Sequence, residues 1–422
     1  MNILVIGSGG REHAIVRVLS SSKSATKIFC SPGNPGIATL AECVSINNNN
    51  FNDVSEFCLS NDISLVVVGP EQPIANGIAD AVREKQINVF APSLYASQLE
   101  ASKAFAKNFM QRYNIPTAKY AVFDSTTEHQ AEEYVITMQL PIVIKADGLA
   151  AGKGVVITEN MDEAIATLKE FFNGAFGEAS KKVVIEEFMQ GEEASIFAIC
   201  DGSNYITLSP AQDHKRIGDG DTGKNTGGMG AYTPVPIVTD AILQKVRIEI
   251  IEPTLAGMQA EGHPYIGCLY VGLMIDNGTP RVVEFNVRFG DPETQAVLSA
   301  FNGDFAHLLY TAAIGQLDKT AVVNSNIAAC CVILASDGYP DKYKTDFEIT
   351  GELNSEHCYT YHSGTKLANG KLLTAGGRVL GVTAVADTIE DAIALAYKQA
   401  NGISFDNKYC RSDIGQKSKK TH

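Results

Sequence analysis

One segment of the sequence places two oxygen ligands and an arginine at positions that share a strand face. It runs Arg-Val-Val-Glu-Phe-Asn-Val-Arg-Phe-Gly-Asp-Pro-Glu and ends at Glu293. Strand side chains alternate, so Glu284, Asn286 and Arg288 point one way. The apolar residues that point the other way are Val283, Phe285, Val287 and Phe289. Mg²⁺ takes carboxylate and amide oxygens, and arginine fits a carboxylate or an acyl phosphate, so the pattern predicts a metal and substrate site. A strand face in contact with solvent is the alternative.

A second segment is rich in glycine and lysine. It runs Lys-Ala-Asp-Gly-Leu-Ala-Ala-Gly-Lys-Gly from Lys145 to Gly154. A Walker loop has Ser or Thr after its lysine, where this chain has Gly154, and strand-like residues flank the segment on both sides. We therefore interpret it as a small loop in a β-hairpin that orders over a triphosphate, with Lys145 pairing with phosphate oxygens. A plain glycine hairpin is the alternative.

The first strand ends in the turn Gly-Ser-Gly-Gly-Arg-Glu, which opens onto a helix at residues 7–12. A dinucleotide-binding turn needs a third small residue where Glu12 stands, and an acid at the end of the second strand, where Ser31 stands. The motif therefore argues against a nicotinamide dehydrogenase. Because N–H groups at such a turn bind anions, it predicts phosphate or ribose binding, with a tight structural turn as the alternative.

Two polar segments complete the candidate chemistry. The acidic segment from Glu186 to Ser195 follows a β-branched strand; it is either a hinge that binds adenine and ribose or an acidic surface turn. The excursion from Gln212 to Ala231 is too polar and too rich in glycine for a core, and loops of that kind are disordered or functional. Within it we interpret His214 as a hydrogen-bonding loop residue rather than a catalytic base, since no second His or Cys lies at metal-ligand spacing.

The elements that must position these groups change in type along the chain. Up to about residue 102, short apolar strands alternate with helical segments and end in Gly- or Pro-rich loops, which predicts a doubly wound parallel sheet with ligands at the strand ends. The predicted strands are Ile3–Ile6, Lys27–Cys30, Leu65–Val68 and Asn88–Phe90. A helix and β-hairpins follow from residue 103, mostly strands from 195 to 300, and an α+β unit from 328. The last unit contains a helix that begins at Thr388, with Asp391 in a capping box, and ends near Gly402.

Composition limits the classes of function. The chain has 422 residues, of which 45% are hydrophobic, so several domains are expected. A net charge of −14 argues against nucleic acid or an anionic membrane as the main partner. No apolar run is long enough to span a membrane, and nine cysteines without a Cys-x-x-Cys pair suggest buried thiols in a reducing cytoplasm. The basic residues from Lys417 to Lys420 are expected to form a solvated, frayed end.

Five motifs together resemble the glycinamide ribonucleotide synthetase family of the ATP-grasp superfamily. They are Gly-Ser-Gly-Gly-Arg-Glu-His ending at His13, the segment from Lys145 to Gly154, Gln-Asp-His-Lys-Arg ending at Arg216, Asn-Thr-Gly-Gly-Met-Gly-Ala-Tyr ending at Tyr232, and Arg-Phe-Gly-Asp-Pro-Glu ending at Glu293. The resemblance extends from residue 1 to about 415. It implies an α/β and α+β multidomain protein. Its parts are a doubly wound substrate domain at 1–102, an ATP-grasp domain at 103–327 with a small β-hairpin lid at about 123–190, and a small α+β domain at 328–422.

The resemblance also implies a reaction. In this family the carboxylate of glycine attacks ATP to form glycyl phosphate and ADP, and the amine of 5-phosphoribosylamine then displaces phosphate, in de novo purine synthesis. Carried over by position, the ATP-binding residues are Lys103, Lys145, Gly152, Lys153, Gly154, Glu186, Glu187, Phe188 and Glu193. The substrate-binding residues are Gly9, Gly10, Pro32, Gly33, Asn34, Asp213 and Arg288, and the catalytic ones are Lys145, Asp213 and Arg288. Glu284 and Asn286 would hold Mg²⁺ or Mn²⁺, and a monomer or weak homodimer is expected.

Three other functions compete with this expectation. One is an ATP-grasp ligase or carboxylase that acts on a different acid, and another is a nicotinamide dehydrogenase, which Glu12 and Ser31 already disfavour. The third is a regulatory nucleotide-binding protein without turnover. Substrate-dependent release of ADP separates the third from an enzyme.

Overall fold

The N-terminal unit is built on a parallel sheet. The structure is a computed structural model that describes residues 1–149, 154–323 and 325–419. The strands are β1 (Asn2–Gly7), β2 (Lys27–Pro32), β3 (Glu42–Cys43), β4 (Ile63–Val68) and β5 (Val89–Phe90), and the helices are α1 (Gly10–Ser20), α2 (Phe51–Ser60), α3 (Glu71–Ala75), α4 (Ile78–Glu84) and α5 (Gln98–Ala101). The strand order is β3-β2-β1-β4-β5, which confirms the predicted doubly wound sheet. The chain order reverses between β1 and β4, so the loops after these two strands meet at the switch point where ligands bind.

The lid, predicted at about residues 123–190, contains helices and further strands besides the β-hairpin. After α6 (Lys103–Arg112) come β6 (Tyr120–Asp124), α7 (Glu128–Ile136), β7 (Ile142–Ala146), β8 (Val155–Thr158), α8 (Met161–Phe172) and β9 (Lys182–Glu187). The strands form an antiparallel sheet in the order β6-β9-β7-β8. Helix α8 begins because the side chain of Asn160 accepts the N–H groups of Asp162 and Glu163, and its buried face, with Leu168 and Phe171, packs on the sheet. The predicted hairpin, β7 and β8, is thus one half of a lid with its own core.

The central unit carries the predicted metal strand. Its elements are β10 (Glu192–Asp201), β11 (Tyr205–Thr207), β12 (Gln212–Asp213), β13 (Arg216–Gly218), β14 (Thr222–Asn225), β15 (Gly230–Thr233), α9 (Asp240–Val246), α10 (Glu252–Ala260), β16 (Ile266–Asp276), β17 (Thr279–Asn286), α11 (Glu293–Ser299) and α12 (Phe305–Ala313). The antiparallel sheet has the order β11-β10-β16-β17. Opposite Gly272 the register shifts, so Val283 bulges out of β17 and lines the same cavity as Glu284. The prediction that Val283 points away from Glu284 is therefore wrong, whereas Phe285, Val287 and Phe289 are buried.

The C-terminal unit includes strands from the polar excursion. Its own elements are β18 (Ala328–Ser336), β19 (Cys358–His362), β20 (Thr365–Ala368), β21 (Lys371–Thr374), β22 (Arg378–Ala386), α13 (Ile389–Gly402) and β23 (Lys408–Tyr409). The sheet order β12-β15-β18-β22-β19 joins the excursion to this unit, which the sequence did not predict. Helix α13 begins as predicted, because the side chain of Thr388 accepts the N–H of Asp391. Among the described helices, none has the length and apolarity needed to cross a membrane.

The last described residues are anchored, so the expected frayed end is wrong for residues up to 419. The guanidinium of Arg411 is fully buried and donates to Asp221 at 3.0 Å and to Asp413 at 2.7 Å. Lys417 Nζ lies 2.7 Å from the other carboxylate oxygen of Asp221. A 3-10 turn, Gln416–Lys419, closes the segment. The C-terminal segment therefore holds the excursion in place.

We expect Arg411→Met to lower the free energy of unfolding by about 3 kcal/mol, because removing the buried guanidinium leaves Asp413 without its paired arginine and Asp221 with Lys417 alone. Urea denaturation of the whole protein measures the change. Lys366→Met is the control, since the ion pair of Lys366 with Asp346 is exposed and such pairs contribute about 0–1 kcal/mol. Equal stability losses in the two variants would contradict the anchoring role of Arg411.

Candidate active site

A cavity of about 1300 Å³ lies where the N-terminal sheet, the lid, the central sheet and the C-terminal unit meet. The switch-point loops of β1 and β4 form one end, strands β7 and β9 of the lid form the other, and β17 forms the floor. Most of the predicted site residues line it: Gly9, Pro32, Lys103, Lys145, Gly154, Glu186, Glu187, Phe188, Glu193, Asp213, Glu284, Asn286 and Arg288. The structure thus brings together site residues from two predicted domains, and residues of the C-terminal unit also line the cavity.

Three predicted substrate residues do not line this cavity: Gly10, Gly33 and Asn34. The side-chain amide of Asn34 donates to the carbonyls of Ser8 and His362, both at 2.8 Å, so it holds its own loop against the C-terminal unit. Gly33 has φ +72°, and a Cβ there would lie 2.4 Å from Cys43 Sγ. Their contact with substrate stays a prediction. Gly152 and Lys153, and the rest of the predicted lid loop between residues 150 and 153, lie outside the described residues.

Glu12 fills the space that a small residue has in a dinucleotide-binding turn. Its carboxylate accepts the N–H of Gly9 at 2.6 Å, and a Cβ at Gly7 or Gly69 would lie within 2.5 Å of its side chain. The N–H of Gly9 is therefore already bonded, which differs from the expectation that it is free for an anion. Arg11 Nε lies 2.5 Å from the same carboxylate and supplies a positive charge at this end of the cavity.

The predicted metal ligands, Glu284 and Asn286, lie beside lysines. Burial by itself would raise the pKa of Glu284, but Lys215, Lys145 and Lys103 outweigh it and lower that pKa, so the carboxylate is ionised at neutral pH. No group of three or more His, Cys, Asp or Glu among the described residues could hold an ion by itself. One carboxylate and one amide oxygen nevertheless fit Mg²⁺, which completes its shell with substrate phosphates and water.

Arg288 is held between two other units of the protein. Its Nη2 lies 2.9 Å from Glu100 in α5, and its Nε lies 3.7 Å from Glu71 at the start of α3. Nη2 also donates to Asn286 Oδ1 at 3.2 Å. Nε is buried and has no hydrogen-bond partner among the described residues. An oriented guanidinium with one unused donor suits a substrate carboxylate or phosphate.

Asp213 lies among other acids in the interior. Burial raises its pKa to about 8, with Glu293 and Glu193 adding to the increase and Lys215 opposing it. Lys215 Nζ donates to Glu193 at 2.5 Å, so this lysine pairs with a predicted ribose ligand. A carboxylate that titrates near pH 8 is suited to exchange a proton with an amine.

The side chains at the predicted adenine hinge are bonded within the protein. Glu187 accepts the N–H of Lys119 at 3.1 Å and Arg281 Nη1 at 3.0 Å, and the buried carboxylate of Glu186 lies 2.9 Å from Lys145 Nζ. This leaves the backbone of the hinge and the exposed ring of Phe188 to face a base. At the phosphate end, Lys103 Nζ donates to the carbonyl of Gly148 at 3.0 Å.

The prediction that His214 is a hydrogen-bonding loop residue is wrong. Its ring is buried and neither nitrogen has a hydrogen-bond partner among the described residues. Burial lowers its pKa to about 3, with Lys417 and Arg411 adding to the shift, so the imidazole is neutral at physiological pH. His214 does not line the cavity, although its chain neighbours Asp213 and Lys215 do.

Sequence reasoning missed several residues that line the cavity. Lys215 and Glu293 lay within segments already singled out, and Glu71 lies just after a predicted strand, so the sequence held a signal for these three. Arg378 carried no such signal, and Lys417 was expected in a frayed end. Arg378 Nη2 lies 2.8 Å from Asp291, so the C-terminal unit contributes a positive charge to the lining of the cavity. Only the tertiary fold reveals these contributions.

Three models of the phosphoribosylglycinamide synthetase family match the chain: the N domain at residues 1–100, the ATP-grasp (A) domain at 101–294 and the C domain at 329–417. The chain is 46% identical over 416 residues to the phosphoribosylamine–glycine ligase of Rhizobium meliloti (strain 1021), covering 98% of each. It is 46% identical over 426 residues to the enzyme of that name from Chlorobaculum tepidum, covering 99% of this chain and 100% of that one. A bifunctional purine biosynthetic protein of Pichia angusta is also 46% identical, over 54% of its own length.

Solved structures give the same fold. The crystal structure of phosphoribosylamine–glycine ligase from Thermotoga maritima has a TM-score of 0.86 at 34% identity, covering 98% of this chain and 100% of that one. The biotin carboxylase domain of 2-oxoglutarate carboxylase from Hydrogenobacter thermophilus has a TM-score of 0.75 at 14% identity, covering 97% and 91%. The second likeness shows the fold alone.

Proposed function

The chain belongs to the phosphoribosylglycinamide synthetase family, and on that premise we propose that it is a ligase of de novo purine synthesis. It converts ATP, glycine and 5-phosphoribosylamine to ADP, phosphate and glycinamide ribonucleotide. The observation that carries the proposal is the common cavity of Glu284, Asn286, Arg288 and Lys145, which matches the needs of phosphoryl transfer to a carboxylate. A carboxylate must first be activated because it is a poor electrophile.

In the first step the carboxylate of glycine attacks the γ-phosphorus of ATP, and the bond to the bridging oxygen breaks to release ADP. Arg288, oriented by Glu100, binds the carboxylate. Lys145 and Lys103 neutralise phosphate oxygens, and positioning and charge neutralisation are most of what a protein contributes to such a transfer. The hinge after Glu186 binds adenine through its backbone, and Glu193 accepts the ribose hydroxyls.

The fit of the metal to this site rests on the ionised Glu284 beside an amide oxygen. Glu284 and Asn286 would hold Mg²⁺, or Mn²⁺ in its place. When bound there, the ion would supply positive charge that neutralises the phosphates of ATP. Because the chain would provide only these two ligands, loss of either one should weaken the binding of the metal strongly.

In the second step the amine nitrogen of phosphoribosylamine attacks the carbonyl carbon of glycyl phosphate, and the carbon–oxygen bond to phosphate breaks. The attacking nitrogen loses a proton, which Asp213 accepts as a carboxylate. Its raised pKa, caused first by burial, supports this role because an acid of pKa about 8 has the required basicity. The phosphate that leaves stays near Arg288 and Lys145.

The phosphoribosyl end lies at Gly9 and Pro32, beside Arg11. A Cβ at Gly9 would lie 2.9 Å from Glu12 Oε2 and 4.0 Å from Asp291 Oδ2, whereas one at Gly10 would lie 2.6 Å from Ser363 Oγ and 2.8 Å from Gln295 Nε2. We expect Gly9→Val to raise the Michaelis constant for phosphoribosylamine selectively.

Gly10→Val is the matched variant for Gly9→Val. It should instead cost about 1–3 kcal/mol of stability through overpacking and weaken all substrates together. Steady-state kinetics and thermal unfolding of both variants check this. A loss shared by all substrates at Gly9 would contradict the assignment, whereas a selective effect at Gly10 would extend the substrate contact to that residue.

The proposed reaction is tested by release of ADP with ATP, glycine and freshly generated phosphoribosylamine, each omitted in turn. Release that requires all three, with glycinamide ribonucleotide identified by mass spectrometry, supports the ligase. Release with another acid in place of glycine favours a different ATP-grasp ligase. Binding of ATP without any release favours a regulatory nucleotide-binding protein.

We also propose three domains, at residues 1–102, 103–327 and 328–422, in a cytoplasmic monomer or weak homodimer. All nine cysteines are free and seven are buried, which supports a reducing compartment. The exposed large apolar side chains are spread over every unit, including Leu59, Ile136, Ile248 and Leu367, which supports a weak association at most. Sedimentation over a range of concentrations tests the oligomeric state.

A further inference from the structure

A buried lysine that the proposed mechanism does not use lies at the base of the lid. Lys107, on α6, has 2% of its surface exposed. Its Nζ lies 3.0 Å from Glu186 Oε2 and donates to Thr117 Oγ1 at 2.7 Å. A lysine is rarely buried to this extent unless it is paired, so these two contacts account for its place in the interior.

The two partners of Lys107 mark where the chain enters and leaves the lid. Thr117 lies on the segment that leads into β6, and its hydroxyl donates to the carbonyl of Val282 in β17 at 2.6 Å. Glu186 lies near the end of β9, where the chain returns to the central unit. Lys107 therefore bonds both connections of the lid at once, and through Thr117 it reaches the strand that carries Glu284.

Glu186 also determines how Lys145 is held. Lys145 Nζ lies 2.9 Å from Glu186 Oε1, but that oxygen has no aligned hydrogen bond among the described residues. Two lysines thus share one carboxylate. Burial by itself would raise the pKa of Glu186, but Lys145 and Lys107 outweigh it and lower that pKa. Burial lowers the pKa of Lys107 to about 8, with Glu186 opposing the shift.

Removing Lys107 would leave a buried carboxylate with one countercharge. A buried ion is strongly destabilising without its partner, so Lys145 would be drawn fully onto Glu186. It would then be less available to phosphate oxygens in the cavity. Lys107 also lines the cavity, but its Nζ is bonded to the two lid connections, so the effect on ATP would arise through Glu186 and Lys145.

We propose that Lys107 is a positioning residue for nucleotide binding, which balances the charge of Glu186 so that Lys145 can face the phosphates and which fixes the base of the lid through Thr117. The proposal deepens the proposed function, because it rests on Lys145 as a phosphate ligand. It predicts that Lys107 and Glu186 act as one unit.

The test is a double-variant cycle read by calorimetric titration with a non-hydrolysable ATP analogue in the presence of Mg²⁺. Lys107→Met should raise the dissociation constant at least tenfold. Adding Glu186→Gln to that variant should recover a large part of the loss, because Lys145 is released from the carboxylate; coupling of this kind appears as non-additivity. If the Lys107→Met protein does not fold, Lys107→Gln is the second variant, because glutamine keeps a hydrogen-bond donor without the charge.

Lys408→Met is the control. Lys408 is half-buried and donates to the carbonyls of Ala400 and Ile403, so its loss should lower thermal stability without changing the dissociation constant. Unchanged binding in the folded Lys107 variants would overturn the proposal. Additive effects of Lys107→Met and Glu186→Gln would also overturn it, since the proposed influence of Lys107 on Lys145 passes through Glu186.

The binding test does not depend on which acid and amine are joined. If the unmodified protein releases no ADP with glycine and phosphoribosylamine but the cycle shows coupling, the proposed reaction fails and the role of Lys107 stands. If ADP release is normal and the cycle is additive, only the role of Lys107 fails.

Discussion

Glu284→Gln is expected to reduce kcat/KM by about 10²–10³-fold, a loss typical of removing one group that stabilises developing charge. Glutamine has the same shape but lacks the charge that four cations surround: Lys103, Lys145, Lys215 and Arg288. The carboxylate is the only charged metal ligand proposed for the site, so its loss weakens the ion and leaves excess positive charge. Activity measured as a function of Mg²⁺ concentration should show a higher requirement for the metal.

Thermal unfolding without nucleotide is the companion measurement for Glu284→Gln. The pKa of Glu284 is lower in the native state than in the unfolded state, so its charge stabilises the native state at any pH above its unfolded-state pKa. This contribution is lost as the pH falls through the native-state pKa. A modest loss of stability at neutral pH is therefore expected, in a protein that stays folded at the assay temperature. A loss of activity explained entirely by unfolding would contradict the metal assignment.

Asp213→Asn is expected to reduce kcat by about 10²–10⁴-fold, the range that general acid–base groups contribute. In the unmodified protein the rate should rise with pH up to about 8, because the carboxylate becomes available as its proton leaves. The asparagine variant should lose this dependence. A retained rise with the same midpoint would show that another group titrates, and would contradict the role of Asp213.

The raised pKa of Asp213 also leads to a prediction about stability. The pKa of Asp213 is raised from 3.8 to about 8, so between these values the native state binds more protons than the unfolded state. Stability contributed by this group is therefore complete at low pH and is lost as pH rises toward 8. Urea denaturation should show that Asp213→Asn is more stable than the unmodified protein at pH 8, by a margin that shrinks toward pH 5. A margin that does not change with pH would contradict the raised pKa.

Local sequence patterns were sufficient to predict the features that depend on a single strand or helix. The apolar run Ile3–Ile6 is buried within a parallel sheet, and such strands read as continuous apolar segments. The face with Glu284, Asn286 and Arg288 follows from strand alternation, and helix α13 from the cap at Thr388. The doubly wound sheet was predictable because each of its strands is followed by a Gly- or Pro-rich loop and a helix.

Contacts between segments that are distant in sequence could not be predicted from local sequence patterns. The bulge at Val283 depends on register with β16, and β15 pairs with β18 almost a hundred residues later. Lys107 looked like one polar residue of an amphipathic helix, and only the fold places Glu186 beside it. His214 was misjudged because its loop is polar, whereas the C-terminal segment covers the loop and buries the ring.

The anchoring of the excursion by the C-terminal segment has a consequence for biosynthesis. Arg411 is translated 190 residues after Asp221, the carboxylate that it holds. The N-terminal sheet can fold while the chain is still on the ribosome, since domains generally fold as they emerge. The wall of the cavity that contains Asp221 and Asp213 can be completed only after Arg411 has been synthesised. A nascent chain is therefore expected to bind ATP through the lid and hinge before it can complete a catalytic cycle.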